Sequence, residues 1–115
     1  MLRVVDKHLH FDNKVVMDYG CGMGILTEEI MRKYKPREVY ACDTASESVN
    51  LTKERCRMYQ CFKDAYVITK DQLPLKDGKF DIIFVTEIVE HLSDEALNFL
   101  LKQVYRLLKL GGYWL

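Results

Sequence analysis

Residues Val15-Val-Met-Asp-Tyr-Gly-Cys-Gly-Met-Gly24 carry the strongest structural signal in this 115-residue chain. An apolar run over residues 14–19 predicts a β-strand, and glycines follow it at positions 20, 22 and 24. Glycine lets the backbone turn tightly and approach a ligand closely, while the helix expected to begin near Gly24 supplies free N–H groups. The stretch therefore predicts a strand, a ligand-binding turn and a helix in succession.

The spacing of these glycines departs from two familiar nucleotide-binding loops. The dinucleotide fingerprint needs glycine at its first, third and sixth positions, but the sixth position here is Ile25. The P-loop needs Gly-Lys-Ser or Gly-Lys-Thr, which does not follow Gly24. The sequence therefore matches neither the strict NAD-binding motif nor the P-loop motif. NAD or a nucleotide sugar stays open as an alternative adenosine-type ligand.

Apolar runs alternate with helical patterns along the chain, which is typical of βαβ units around a parallel sheet. We predict a helix after each of the first two strands, the second of them capped by Ser46. Besides the strand over 14–19, the predicted elements are strands over 39–42, 65–69 and 80–86 and helices over 24–34 and 46–59.

The clearest helical pattern lies near the end of the sequence. Ser93 is a good N-cap, and leucines recur on one face of the helix that follows it. Gly111 and Gly112 are expected to end this helix. Residues 113–115 then predict the opening of a fifth strand.

Composition and charge place the chain among globular proteins. It is 49% hydrophobic and 30% charged with a net charge of zero, which argues against a general nucleic-acid or membrane-surface footprint. No apolar run is long enough to cross a bilayer, and the four cysteines lack metal-ligand spacing. We therefore expect one cytoplasmic domain over residues 1–115, with reduced thiols and no membrane partner.

Asp43 stands at the end of the second predicted strand, about 20 residues beyond the glycine loop. A carboxylate at that place can accept hydrogen bonds from ribose hydroxyls and disfavours a ribose 2′-phosphate. Together, the loop and the acid predict an adenosine-type ligand at the carboxyl edge of a parallel sheet. The alternative interpretation is a plain tight turn beside a solvated aspartate.

Five stretches, in this order, resemble those of class I S-adenosylmethionine (SAM)-dependent methyltransferases. They are similar to the family's first motif, its ribose-binding acid, the approach to its fourth strand, the segment after that strand and the turn into its fifth. In this chain they are Asp18–Gly24, Asp43, Leu73–Asp81, Glu87–Leu92 and Leu108–Gly112.

The resemblance implies an α/β fold, a Rossmann-like three-layer sandwich with a mainly parallel sheet in the order 3-2-1-4-5. The family usually adds strands six and seven beside strand five, and we expect this chain to lack them and to be incomplete at its C-terminus. An uncovered strand edge at 113–115 would favour self-association. The alternative is that these residues fray and the chain stays monomeric.

The resemblance also implies a cofactor, SAM or its product S-adenosylhomocysteine. Gly20, Cys21, Gly22 and Gly24 would pass near the methionine moiety of the cofactor. Asp18 would orient this loop and bind the amino group of the cofactor.

The other cofactor contacts implied by the resemblance come from later loops. The ribose would be held by Asp43 with Thr44, the adenine by Asp71 and Gln72, and the reacting methyl group would face Thr86 and Glu87. For the adenine contact, the stretch 63–65 is a second possibility, but it precedes the predicted third strand instead of following it.

The implied activity is methyl transfer from SAM to an oxygen or nitrogen of an unidentified acceptor, and we expect that acceptor to be a small molecule. Glu87 and His91 are the candidates for a general base, with Glu90 beside them. We expect no metal.

Two other functions stay open at this point. Glu87, Glu90 and His91 also resemble the Mg²⁺-binding segment of small-RNA 2′-O-methyltransferases, which would make RNA the partner. That family needs a further histidine downstream of this segment. The chain could also bind SAM without catalysing methyl transfer.

Overall fold

The computed structural model describes residues 11–85 and 92–114. Within them five strands alternate with three helices along the chain. The strands are β1 (Val15–Tyr19), β2 (Glu38–Asp43), β3 (Phe62–Val67), β4 (Phe80–Val85) and β5 (Leu108–Trp114), and the helices are α1 (Ile25–Lys33), α2 (Ser46–Cys56) and α3 (Asp94–Leu107). In the described ranges, no helix has the length and apolar character needed to span a bilayer.

The five strands form one sheet in the order β3-β2-β1-β4-β5, and all neighbouring pairs are parallel. This order confirms the predicted fold class. β2 and β3 lie on one side of β1, and β4 and β5 lie on its other side. The direction in which strands are added to the sheet therefore reverses between β3 and β4. Loops after β1 and β4 therefore diverge at the carboxyl edge of the sheet, which is where open α/β sheets bind ligands.

The core has two halves, one on each face of the sheet. Val15, Met17 and Tyr19 of β1 pack into the cluster that contains Leu100 and Val104 of α3. Val16 lies on the opposite face, in the cluster that α1 and α2 cover. This alternation is the period of two expected of a strand. Because helices cover both faces, the molecule has the three layers predicted.

The third strand begins three residues earlier than predicted, at Phe62 instead of Ala65. β3 lies at the edge of the sheet, where polar side chains such as Lys63 and Asp64 can reach solvent. The apolar pattern therefore does not mark where the strand starts. The stretch 63–65 consequently lies inside β3, not before it.

The prediction that Gly111 and Gly112 end the last helix is wrong. α3 ends at Leu107 and β5 follows directly, with both glycines inside the strand. Phe80 pairs with Leu108 whereas Ile82 pairs with Tyr113, so residues 109–112 bulge opposite Asp81. Gly111 has a φ of 86°, and a Cβ at Gly112 would lie 3.0 Å from the Asp81 carbonyl oxygen. The glycines therefore serve a bulge rather than a helix end.

Candidate functional site

The glycine loop adopts a conformation that needs glycine at all three positions. The φ angles of Gly20, Gly22 and Gly24 are 90°, 55° and 85°, in the left-handed region that other residues rarely adopt. A Cβ at Gly24 would lie 3.0 Å from the Cα and Oγ1 of Thr52, whereas a Cβ at Gly22 would meet nothing within 4 Å. Gly24 therefore allows close helix packing, while Gly22 borders open space.

Successive amides of this loop are bonded to the end of β2. The N–H groups of Gly20 and Cys21 donate to the Cys42 carbonyl oxygen, at 2.8 and 2.9 Å. The Gly22 N–H donates to Oδ2 of Asp43 at 2.8 Å. A loop that binds phosphate keeps such amides free for the anion. This geometry instead suits a ligand that the backbone approaches closely without a phosphate at the loop.

Asp43 is the link between the loop and α2. The residue is 7% exposed, and its second carboxylate oxygen, Oδ1, accepts a hydrogen bond from the Ala45 N–H at 3.0 Å. Ala45, not Ser46 as predicted, is the N-cap of α2. A carboxylate has about four acceptor sites, so these two bonds leave capacity for ribose hydroxyls.

Asp18 lies near the end of β1, just before the loop, and is fully buried. The Thr27 hydroxyl donates to its Oδ2 at 2.7 Å. This bond joins the end of β1 to the first helix and is consistent with the loop-orienting role that the resemblance implies. The structure therefore links Asp18 to α1 through Thr27.

Cys21 in the loop and Cys42 near the end of β2 are both buried packing residues. Burial raises the pKa of the Cys21 thiol to about 11 and raises that of Cys42 well above its ordinary value. Both thiols are therefore protonated near neutral pH and are poor nucleophiles. Cys21 also packs with Ala41 and Val49 in a small apolar cluster.

A cleft of about 700 Å³ opens at the carboxyl edge of the sheet. Tyr19 and Thr44 line it at the ends of β1 and β2, residues 68–70 line it beyond β3, and the first half of α3 forms the opposite wall. Thr44, which the resemblance assigns to the ribose, is thus one of the residues that line the cleft. Asp71 and Gln72 are exposed on the loop just beyond this lining.

The remaining predicted site residues follow β4 in the chain. Thr86, Glu87, Glu90 and His91 lie outside the described residues. Across residues 11–85 and 92–114, no group of three or more His, Cys, Asp and Glu side chains could hold a metal ion.

Sequence reasoning missed two residues that contact the loop from α2. Thr52 and Arg55 donate hydrogen bonds to the carbonyl oxygens of Gly22 and Met23. The signal was weak, because a threonine and an arginine in a polar helix are ordinary surface residues. Only the packing of α2 against the loop gives them a role.

Comparison with known proteins gives a family match over most of the chain. A family model described as a methyltransferase domain matches residues 16–112. The ubiquinone biosynthesis O-methyltransferase of Bartonella tribocorum is 31% identical over 102 residues, which are 89% of this chain and 40% of that protein. The enzyme of the same name from Pelagibacter ubique is 32% identical over 111 residues, 96% of this chain and 43% of that protein. This chain thus spans about two fifths of the length of these curated relatives.

The fold also matches a solved structure. Phosphoethanolamine N-methyltransferase 1 of Haemonchus contortus, in complex with phosphoethanolamine and S-adenosylhomocysteine, has a TM-score of 0.77 and 25% identity. The match covers 96% of this chain and 23% of that one. These findings confirm the resemblance inferred from the five sequence stretches.

Proposed function

The chain belongs to the methyltransferase-domain family, and we propose that it binds SAM at the carboxyl edge of the sheet and serves methyl transfer to a small-molecule acceptor. The observation that carries the proposal is the glycine loop after β1 bonded to the Asp43 carboxylate after β2. An acid at that place suits ribose hydroxyls. The loop amides bonded to Cys42 and Asp43 disfavour a ligand that needs a phosphate cradle there.

We assign the two halves of the cofactor to neighbouring parts of this edge. The loop 20–24 would border the methionine moiety, with Asp18 orienting it, and Asp43 with Thr44 would hold the ribose. The cleft wall at residues 68–70 and the apolar side chains of α3 suit the flat face of adenine. Asp71 and Gln72 would contact the adenine from the rim.

The catalytic part of the proposal concerns the segment after β4. Bound SAM supplies a methyl group on a positively charged sulfur, so the protein has to exclude water and align the acceptor. We propose that Thr86 and Glu87 face this methyl group. Glu87 or His91 would take the proton of a hydroxyl acceptor.

We propose oxygen as the acceptor atom. The support is the pair of relatives named as O-methyltransferases, which are about 30% identical to this chain along most of its length. Their names also place them in ubiquinone biosynthesis, so a hydroxyl of a small molecule is the acceptor class to test first. RNA with Mg²⁺ held by Glu87, Glu90 and His91, and cofactor binding without catalysis, are the competing outcomes.

Calorimetric titration of the chain with S-adenosylhomocysteine, NAD and ATP tests the cofactor. We expect binding of S-adenosylhomocysteine alone, and preference for NAD or ATP would overturn the proposal. Transfer of a radiolabelled methyl group to a panel of phenols, amines and small RNAs then tests the activity. Loss of transfer on adding a chelator, with recovery on adding Mg²⁺, would favour the RNA alternative.

A further inference from the structure

Helix α2 presents two hydrogen-bond donors to the glycine loop, three residues apart on one face. The Thr52 hydroxyl donates to the Gly22 carbonyl oxygen at 2.9 Å. Nε of Arg55 donates to the Met23 carbonyl oxygen at 3.0 Å. Two consecutive carbonyls of the loop are therefore held by side chains from about 30 residues further along the chain.

Helix α2 packs so closely on the loop that the backbone of Thr52 lies next to Gly24. Thr52 is fully buried, and its Cα, Oγ1 and Cγ2 lie 3.0–3.1 Å from the position a Cβ would take at Gly24. The Thr52 Oγ1 also lies 3.2 Å from Sγ of Cys21. A longer side chain at position 52 has no room, and a shorter one without a hydroxyl would leave the Gly22 carbonyl without this donor.

Gly22 is consequently held from both sides. Its N–H donates to Asp43 and its carbonyl accepts from Thr52. Because a trans peptide points its C=O and N–H in opposite directions, fixing the Gly22 carbonyl also fixes the direction of the Met23 N–H. The position of the Asp43 carboxylate is thereby linked, through Gly22, to Thr52.

Arg55 extends the same connection to the first helix. Its Nη1 lies 3.4 Å from Oε1 of Glu28, and the Tyr59 hydroxyl donates to Oε2 of that carboxylate at 3.0 Å. Glu28 stands in the first turn of α1, directly after the loop. Arg55 therefore connects α2 both to the loop and to the start of α1.

We propose that Thr52 and Arg55 are positioning residues for the cofactor loop. They hold the Gly22 and Met23 carbonyls toward α2 and so keep the loop and Asp43 in the arrangement that accepts the ligand. Neither residue lines the cleft. The inference deepens the proposed function and rests on it for the identity of the ligand, but not for the contact itself.

Affinity for S-adenosylhomocysteine, measured by calorimetry, tests the effect on binding. We expect Thr52→Val and Arg55→Gln each to weaken binding about fivefold or more, as the loss of one hydrogen bond would. Thr52→Ser keeps the hydroxyl and should restore near wild-type affinity. Arg57→Gln is the matched control, because Arg57 directly follows the same helix and its side chain pairs with exposed Glu54.

Amide hydrogen exchange, measured by NMR without ligand, tests the contact independently. Thr52→Val should speed exchange of the Gly22 and Gly24 amides while exchange in β4 stays unchanged. If the wild type fails to bind S-adenosylhomocysteine, the proposed function is wrong, and the exchange rates alone decide the positioning role. Wild-type loop exchange in Thr52→Val and Arg55→Gln would overturn the inference, as would undiminished affinity in both folded variants.

Discussion

Asp43 combines a structural and a proposed ligand-binding role in one carboxylate. It accepts hydrogen bonds from the amides of Gly22 and Ala45, and we assign its remaining acceptor capacity to the ribose. Asp43→Ala should weaken binding of S-adenosylhomocysteine by about 1–3 kcal/mol, through loss of charge-assisted bonds. Calorimetry measures this, with Glu54→Ala as control, since Glu54 is exposed on α2 and its carboxylate pairs with exposed Arg57. Unchanged affinity in a folded Asp43→Ala protein would refute the ribose assignment.

Gly22 and Gly24 should respond differently to the same substitution. Both have positive φ, so alanine at either position costs about 1–2 kcal/mol of stability from backbone strain. Gly24→Ala adds a contact of 3.0 Å with Thr52 and should therefore cost more. Gly22→Ala, and Gly22→Val more strongly, should weaken cofactor binding. The added side chain would occupy the open space beside Gly22 that we assign to the cofactor. Urea unfolding and calorimetry separate the two effects, and equal stability losses would contradict the packing argument.

Among the elements, the connection between β3 and β4 contains no helix. A side chain of α3 binds this connection instead. Arg106 donates to the carbonyl oxygens of Leu73 and Leu75, at 2.9 and 2.8 Å, and to Oδ1 of Asp77 at 2.8 Å. Arg106→Ala leaves these acceptors without their donor and should lower the free energy of unfolding by about 2–3 kcal/mol. Urea unfolding of Arg106→Ala measures this loss, and Arg57→Ala, at an exposed position, is the control. Equal losses in the two variants would show that the connection holds without Arg106.

A second connection between elements depends on pH. Oδ2 of buried Asp81 accepts from the Val15 N–H at 2.8 Å, and its carboxylate pairs with Lys109. Burial acts to raise the pKa of Asp81, but the bonds from Lys109 and Val15 outweigh it and the pKa is lowered. Its contribution to stability is therefore complete above the unfolded-state pKa of about 4 and is lost as pH falls through the lower folded-state value. Urea unfolding of Asp81→Asn should show a deficit near neutral pH that shrinks in acid, and a deficit independent of pH would contradict this.

The sequence allowed prediction of those elements whose pattern is local. Three alternating glycines after an apolar run predicted the loop, and Ser93 is the N-cap of α3 as predicted, accepting a hydrogen bond from the Ala96 N–H. The bulge at 109–112 depends on the distant strand β4, so the local pattern at Gly111 predicts a helix end instead. Thr52 likewise has no local signal, because its role arises only where α2 meets the loop.

At the scale of the whole molecule, β5 pairs only with β4 in the described part of the chain. A strand edge without a neighbour is a template for pairing with another chain. Leu110 on β5 is fully exposed and Tyr105 on α3 is 87% exposed, so large apolar side chains accompany this edge. We therefore predict that the 115-residue polypeptide forms dimers or larger assemblies.

Light scattering over a concentration series measures this association. Leu110→Lys and Tyr105→Lys should shift the equilibrium toward monomer, because a charge beside the edge opposes pairing. Met58→Lys is the control, since Met58 is equally apolar and 88% exposed but follows α2, near the opposite edge strand β3. A monomer at high concentration that still binds S-adenosylhomocysteine would show that the edge of β5 does not drive association. An equal effect of all three substitutions would place the contact elsewhere.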